Sequence, residues 1–332
     1  GEEFGGVDVK QDTEVRFLPS ITLDNGIKIG ADIQLEANTS TDQIDESFLF
    51  IDGSFGRVQL GNENSAGYTM TIAAPDVTLI GVNSGSLTAW IPFSGSAGNA
   101  ASGTVATGAD IFRGTLGATF IENLRNNDAA RITYFTPRLA GVQVGFSYAR
   151  DPADDSNTQF DTNGVIDNFI DFGANYVQSF GGFDVAVSGR WGVAFNPDGS
   201  NPQVFSAGAN FGFAGVTIGG SWAEQNNGGT DDGQAFDVGI SYETGPWGVS
   251  FTYFNGENVD EENPTNVFGN DEEIDQFLVG VTYALAKGVR LGAFGAYVDF
   301  EEDNGDAAGN VASSSGDDVD GFVVGTSIGV SW

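Results

Sequence analysis

Twelve lysines and arginines stand against 46 aspartates and glutamates in this 332-residue chain, with no histidine and no cysteine. Without imidazole or thiol there is no Ser-His or Cys-His dyad, no disulfide framework and none of the usual zinc or copper ligand sets. Catalysis would have to rest on carboxylates, tyrosine or lysine, and these form no credible nucleophile–base pair; the expectation is a non-enzyme with no required cofactor. Two charged patterns remain. The acidic runs "DEEID" (Asp271, Glu272, Glu273) and "FEEDNGD" (Glu301, Glu302, Asp303) offer hard oxygen ligands to structural Ca²⁺, though neither matches a recognised calcium loop. The scarce bases Lys10, Arg16, Lys28 and Arg57 fall early, and the acids Glu63, Asp76, Asp110 and Glu122 are scattered just after them. A formal net charge of −34 excludes a nucleic-acid partner, which needs basic surface.

These groups sit among segments of period two. "IKIGADIQLEA" puts Ile27, Ile29, Ala31, Ile33 and Leu35 on one face and Lys28, Gly30, Asp32, Gln34 and Glu36 on the other. "AFDVGISYE", "WGVSFTYF" and the closing "GFVVGTSIGVSW" repeat the alternation, which is the signature of strands. Short connectors of tight-turn chemistry ("DNG" at 24–26, "SFGG" at 179–182, "ETGP" at 243–246, "LAKG" at 285–288) alternate with long polar ones. With a brief first reversal near Gln11–Asp12, the parse gives 16 strands of roughly 8–13 residues, the pattern of an outer-membrane barrel. A soluble β-sandwich would also alternate. Three features favour the barrel: aromatics near strand ends (Trp222, Tyr242, Trp247, Tyr253, Tyr283, Tyr297, Trp332), opposite faces rich in Gly, Ser and charge, and loop lengths that differ by end.

No run of 18 or more apolar residues occurs, so no transmembrane helix is expected. The first residues, "GEEFGGVDVK", lack a basic region followed by an apolar one; we expect a mature chain whose export signal has been cleaved. Residues 63–128 are too long for a plain connector and carry the apolar stretch "APDVTLIGVNSGSLTAWIPF". Folding inward to narrow the lumen is favoured over an outside flap or a latch on a neighbouring subunit. By strand parity Lys10, Arg16, Lys28, Arg57, Arg131, Arg190 and Arg290 face the lumen. A base on the lipid face would cost about 2–4 kcal/mol at mid-bilayer, so inward placement alone reports solvation.

Five pieces in order, "FGGVDVKQD", "SITLDNGIKIGADIQLE", "ESFLFIDGSFGRVQLGN", "RITYFTPRLAGVQVGFSY" and an aromatic C-terminus, resemble the Gram-negative general porins, most closely those of the Rhodobacter type. The resemblance spans the chain as a single domain, 1–332. It implies a homotrimer of 16-stranded antiparallel transmembrane barrels in the outer membrane, with short periplasmic turns, long extracellular loops and 63–128 as the constriction loop. It also implies a basic wall of Lys10, Arg16, Lys28 and Arg57 facing loop acids drawn from Glu63, Asp76, Asp110 and Glu122. The lumen would pass small hydrophilic solutes and ions with a weak cation preference, and outer-membrane lipid and lipopolysaccharide would surround it. Trp332 stands where the family usually ends in phenylalanine. A substrate-selective channel for sugars or dicarboxylates is the alternative; it would need an aromatic track, and inward Phe135, Phe254 and Phe294 are dispersed along the sequence. A secreted calcium-loaded β-roll would need tandem repeats, and "GGTDDGQAF" occurs once.

Overall fold

The computed structural model describes residues 6–37, 44–83, 118–120, 128–154, 166–197, 199, 201–226, 232–259, 270–304 and 319–332. They hold β1 (Glu14–Phe17), β2 (Ser20–Thr22), β3 (Lys28–Glu36), β4 (Ile44–Gly53), β5 (Gly56–Asn62), helix α1 (Ala66–Met70), β6 (Ala129–Phe135), β7 (Val142–Asp154) and β8 (Asp167–Phe180). β9 (Phe183–Phe195), β10 (Gln203–Phe213), β11 (Val216–Asn226), β12 (Asp232–Thr244), β13 (Trp247–Val259), β14 (Asn270–Ala286), β15 (Val289–Asn304) and β16 (Val319–Val330) follow. The 16 strands make one antiparallel sheet in which, from β3 onward, each strand pairs with its neighbours in sequence. Glycine makes the tight reversals possible: Gly215, at φ 84°, closes β10–β11 in a conformation that costs a side-chain-bearing residue energy.

The first two strands differ from the sequence expectation. Both pair with β3, Glu14–Phe17 on Ile33–Glu36 and Ser20–Thr22 on Lys28–Gly30, so they are halves of one strand. Pro19 interrupts them because it has no N–H to donate to the ladder; its carbonyl still accepts from Ala31 N at 3.0 Å. Among the described residues no strand precedes Glu14. The longest strands, β14 at 17 residues and β15 at 16, exceed the expected length because their pairing continues through acidic residues expected in loops.

The outward face is apolar and exposed, as in Phe205, Phe211, Ile218, Val238, Ile240, Val249, Phe251 and Val279. A soluble chain rarely leaves so continuous a greasy surface uncovered; hydrocarbon solvates this one. Aromatic rings bound it at two levels. Phe183 stacks on Phe213 at 4.4 Å and Trp247 meets Tyr283 at 4.7 Å near the turns. Phe236, Tyr253, Phe277 and Tyr297 run across β12–β15 toward the loop end. Trp247 and Tyr253 lie six residues apart on β13, about 20 Å along a strand, which at the tilt of barrel strands spans about 15 Å of the apolar band.

Candidate functional site

The chain leaves β5 and turns into the barrel. Ser65 caps α1 by accepting from Tyr68 N at 3.2 Å, and α1 lies against the inner faces of β7, β8 and β9. Wall side chains then satisfy the strap's backbone in sequence. Ser147 Oγ accepts from Ala66 N at 3.1 Å, Asp171 Oδ1 from Gly67 N at 2.6 Å and Ser188 Oγ from Ile72 N at 2.9 Å. Asp237 Oδ2 accepts from Ala74 N at 3.0 Å and Ser250 Oγ from Val77 N at 3.2 Å. In the other direction Asn210 Nδ2 donates to Ala73 O at 3.0 Å. The buried pair Arg190–Asp171, at 2.7 Å, braces the root, and Arg190 Nη2 also donates to Ser65 Oγ at 3.0 Å. Asp237 further accepts from Ser221 N and Oγ and from Asn83 Nδ2. The wall is bare where the strap crosses it: a β-carbon at Gly208 would overlap Ile72 O, and one at Gly280 would overlap Thr78 Cγ2. The inward course of residues 65–83 is therefore built into the wall residues of the strands from β7 to β14.

Beyond the strap, apolar side chains meet on the inner faces of β13–β15. Phe254, Ile274, Leu278, Phe294, Val298 and Phe300 on β13–β15 pack with Val82 and Ala118 into one buried cluster. Phenylalanines dispersed in sequence meet here because consecutive strands are neighbours. They face each other and the loop, with Phe254 fully buried, while Phe135 packs with Ala66 and Met70. None of these three forms a track along an aqueous path.

The inner faces of β1–β6 form the opposite wall. Arg16, Lys28, Arg57 and Arg131 share it with Glu14, Asp32, Glu36, Glu46 and Asp52. Arg16 is bound to the buried Asp32 by two hydrogen bonds, one from Nε at 2.8 Å. Register sets Asp52 directly between Lys28 and Arg57, and Arg57 meets it at 3.4 Å with both side chains about one-third exposed (35% and 33%). The expected basic residues Arg16, Lys28 and Arg57 thus share one wall, interleaved with acids. Lys10 does not join them; it pairs with Asp8 at 2.6 Å on the exposed segment before β1. Of the loop acids, Asp76 is turned toward β13, accepting from Ser250 Oγ at 3.0 Å and Thr78 N at 2.8 Å. Asp110 and Glu122 lie outside the described residues. Sequence reasoning missed Asp171 and Asp237 as latches; their signal is an inward acid with a serine directly opposite, Ser147 and Ser221 respectively.

Glu63 sits at the strap's root, 5% exposed. Burial, and then the nearby Glu46 carboxylate, push its pKa up to about 8 against the opposing pull of Arg131 and Arg57, with Asp32 adding to the rise. The neutral form is favoured by the fold, so its stabilising contribution is complete below the ordinary value of 4.5 and is lost as pH rises through about 8. Thermal stability should fall across that window, and Glu63→Gln, which keeps the uncharged shape, should flatten the profile; an unchanged slope in the variant would exclude Glu63 as its source.

The acidic runs extend along the ladder, with Asp271 opposite Asp303, Glu272 opposite Glu302 and Glu273 opposite Glu301. Like charges directly opposed destabilise a sheet. Among the described residues no group of three or more carboxylates is placed to hold a metal ion.

A family model described as Gram-negative porin matches residues 1–304. An uncharacterized protein of Rickettsia typhi is 30% identical over 148 residues, which cover 43% of this chain and 33% of that protein. One from Rickettsia bellii is 29% identical over 172 residues, covering 48% of this chain and 37% of that one. The chain therefore spans about a third of the length of these curated relatives. Among solved structures, an anion-selective porin from Comamonas acidovorans superposes with a TM-score of 0.56 at 17% identity, over 98% of this chain and 91% of that one. The trimer form of OmpT from Vibrio cholerae gives 0.55 at 13% identity, over 96% of each. OmpF of Salmonella typhi in complex with daunomycin gives 0.53 at 12%, over 98% and 93%. At these identities the likeness is one of fold.

Proposed function

Because this chain belongs to the Gram-negative porin family and resides in the outer membrane, we propose that it forms a water-filled channel for passive diffusion of small hydrophilic solutes and ions, with a weak preference for cations. The observation that carries this reading is the division of the lumen. The strap and the apolar cluster lie along the inner faces of β7–β15, whereas the inner faces of β1–β6 mix Arg16, Lys28, Arg57 and Arg131 with Glu14, Asp32, Glu36, Glu46 and Asp52. Water and ions are solvated along such a wall, whereas an apolar solute would have to displace ordered water and gains no partner. Acids outnumber bases on it, which favours cations, and the loops add to the negative mouth. The inward phenylalanines are taken up in packing, which counts against a dedicated sugar or dicarboxylate path.

The same proposal takes a homotrimer, with outer-leaflet lipid and lipopolysaccharide against the apolar face. Divalent cations would relieve the opposed carboxylates of β14 and β15. Calcium should then raise the thermal midpoint; an equal rise from monovalent salt at matched ionic strength would reduce the effect to screening. The permeability reading is tested by swelling of proteoliposomes in sugars of graded size. Rates should fall smoothly with size and show little dependence on stereochemistry. Saturable uptake of one sugar or dicarboxylate would overturn the non-specific reading.

A further inference from the structure

Phe50 sits beneath two of the wall cations. The Arg57 guanidinium carbon stands 4.3 Å from its ring centroid, and Lys28 Nζ stands 5.4 Å away. The ring is 4% exposed. It lies across β3 at Gly30, its cross-strand partner, where any β-carbon would overlap Phe50 Cζ. Two residues further along β4, Asp52 is flanked on its row by Lys28 and Arg57. Aromatic face and carboxylate therefore act on the same two side chains, one through the ring quadrupole and the other through charge.

We infer that Phe50 is a positioning residue for the ion path: it holds Lys28 and Arg57 flat against the wall and so keeps their charges out of the aperture. Long cationic side chains released from such a surface would sample rotamers that project into the water. Projected cations obstruct the passage and attract anions, so loss of the platform should lower both conductance and cation preference. The inference rests on the channel reading above and adds to it a residue that carries no charge. Gly30 belongs to the device, since it provides the space the ring occupies.

The test is planar-bilayer recording of the full chain in a KCl gradient. Phe50→Leu keeps apolar bulk and removes the aromatic face; it should lower the K⁺/Cl⁻ permeability ratio about twofold and make the open-channel current noisier. Phe50→Trp should retain the parent ratio. In a Lys28→Gln/Arg57→Gln background, Phe50→Leu should have no further effect, because nothing is left for the ring to hold. A purely structural role would instead give the same change in both backgrounds, and that result overturns the inference, as does a Phe50→Leu channel indistinguishable from the parent. Should Lys28→Gln/Arg57→Gln itself leave the ratio unmoved, the assignment of this wall to the ion path falls as well, and the inference with it. Should that pair move it while Phe50→Leu does not, only the inference falls.

Discussion

Replacing Arg190 with alanine should destabilise the protein by about 3–5 kcal/mol, because it strands a buried carboxylate. The Asp171 side chain is 8% exposed and the Arg190 side chain 1%, so water cannot replace the lost partner. The loss reaches the strap directly, since Asp171 also holds Gly67 N and Arg190 holds Ser65 Oγ. Channels of Arg190→Ala that do fold should show larger and noisier currents as the root of the strap loosens. Replacing both partners by apolar residues of similar size, Arg190→Met with Asp171→Leu, should recover only part of the stability, because Gly67 N loses its acceptor, and should not quiet the current. Thermal denaturation and single-channel noise then separate the energetic role from the positional one. Equal stability of Arg190→Ala and parent would show that the pair does not brace the loop.

A valine at position 208 should unseat the strap. The added bulk would occupy the place of Ile72 O, and that carbonyl cannot yield easily because Ile72 N is fixed by Ser188 and Asn210 holds Ala73 O. Overpacking of this kind costs about 1–3 kcal/mol, and displacement of the strap should widen the lumen and raise unit conductance. Gly189 gives the control, since an added β-carbon there meets nothing closer than Ser206 O at 4.0 Å. Gly189→Ala should leave conductance at the parent value. Parent conductance in Gly208→Val, with the fold intact, would mean that the strap does not limit the passage.

The strands were legible in the sequence because period two survives in every hairpin and glycine marks the reversals. Inward placement of Arg16, Lys28, Arg57, Arg131 and Arg190 followed from the same parity. What the sequence hid depends on the path of one segment through space. Nothing local distinguishes Asp171 or Asp237 from other inward acids until the strap's N–H groups arrive beside them. Likewise, Phe254, Phe294 and Phe300 become a core only once Val82 and Ala118 reach them. The resemblance set Asp76 among the acids facing the basic wall, yet the strap carries it to Ser250 on β13. Pro19 was a readable interruption: a proline within an alternating run removes one donor, and the ladder divides there into β1 and β2. The acids of β14 and β15 were placed in loops because charge reads as solvent exposure; pairing beyond the apolar band keeps them in the ladder.

Ion flow past the charged wall of β1–β6 is the claim on which the rest depends. The direct measurement is the zero-current potential of the reconstituted protein in a planar bilayer under a KCl gradient, at several mean concentrations. Stepwise ohmic openings grouped in threes are expected, with a potential on the K⁺ side that shrinks as salt screens the wall. A silent bilayer, or a potential on the Cl⁻ side at low salt, would contradict the account.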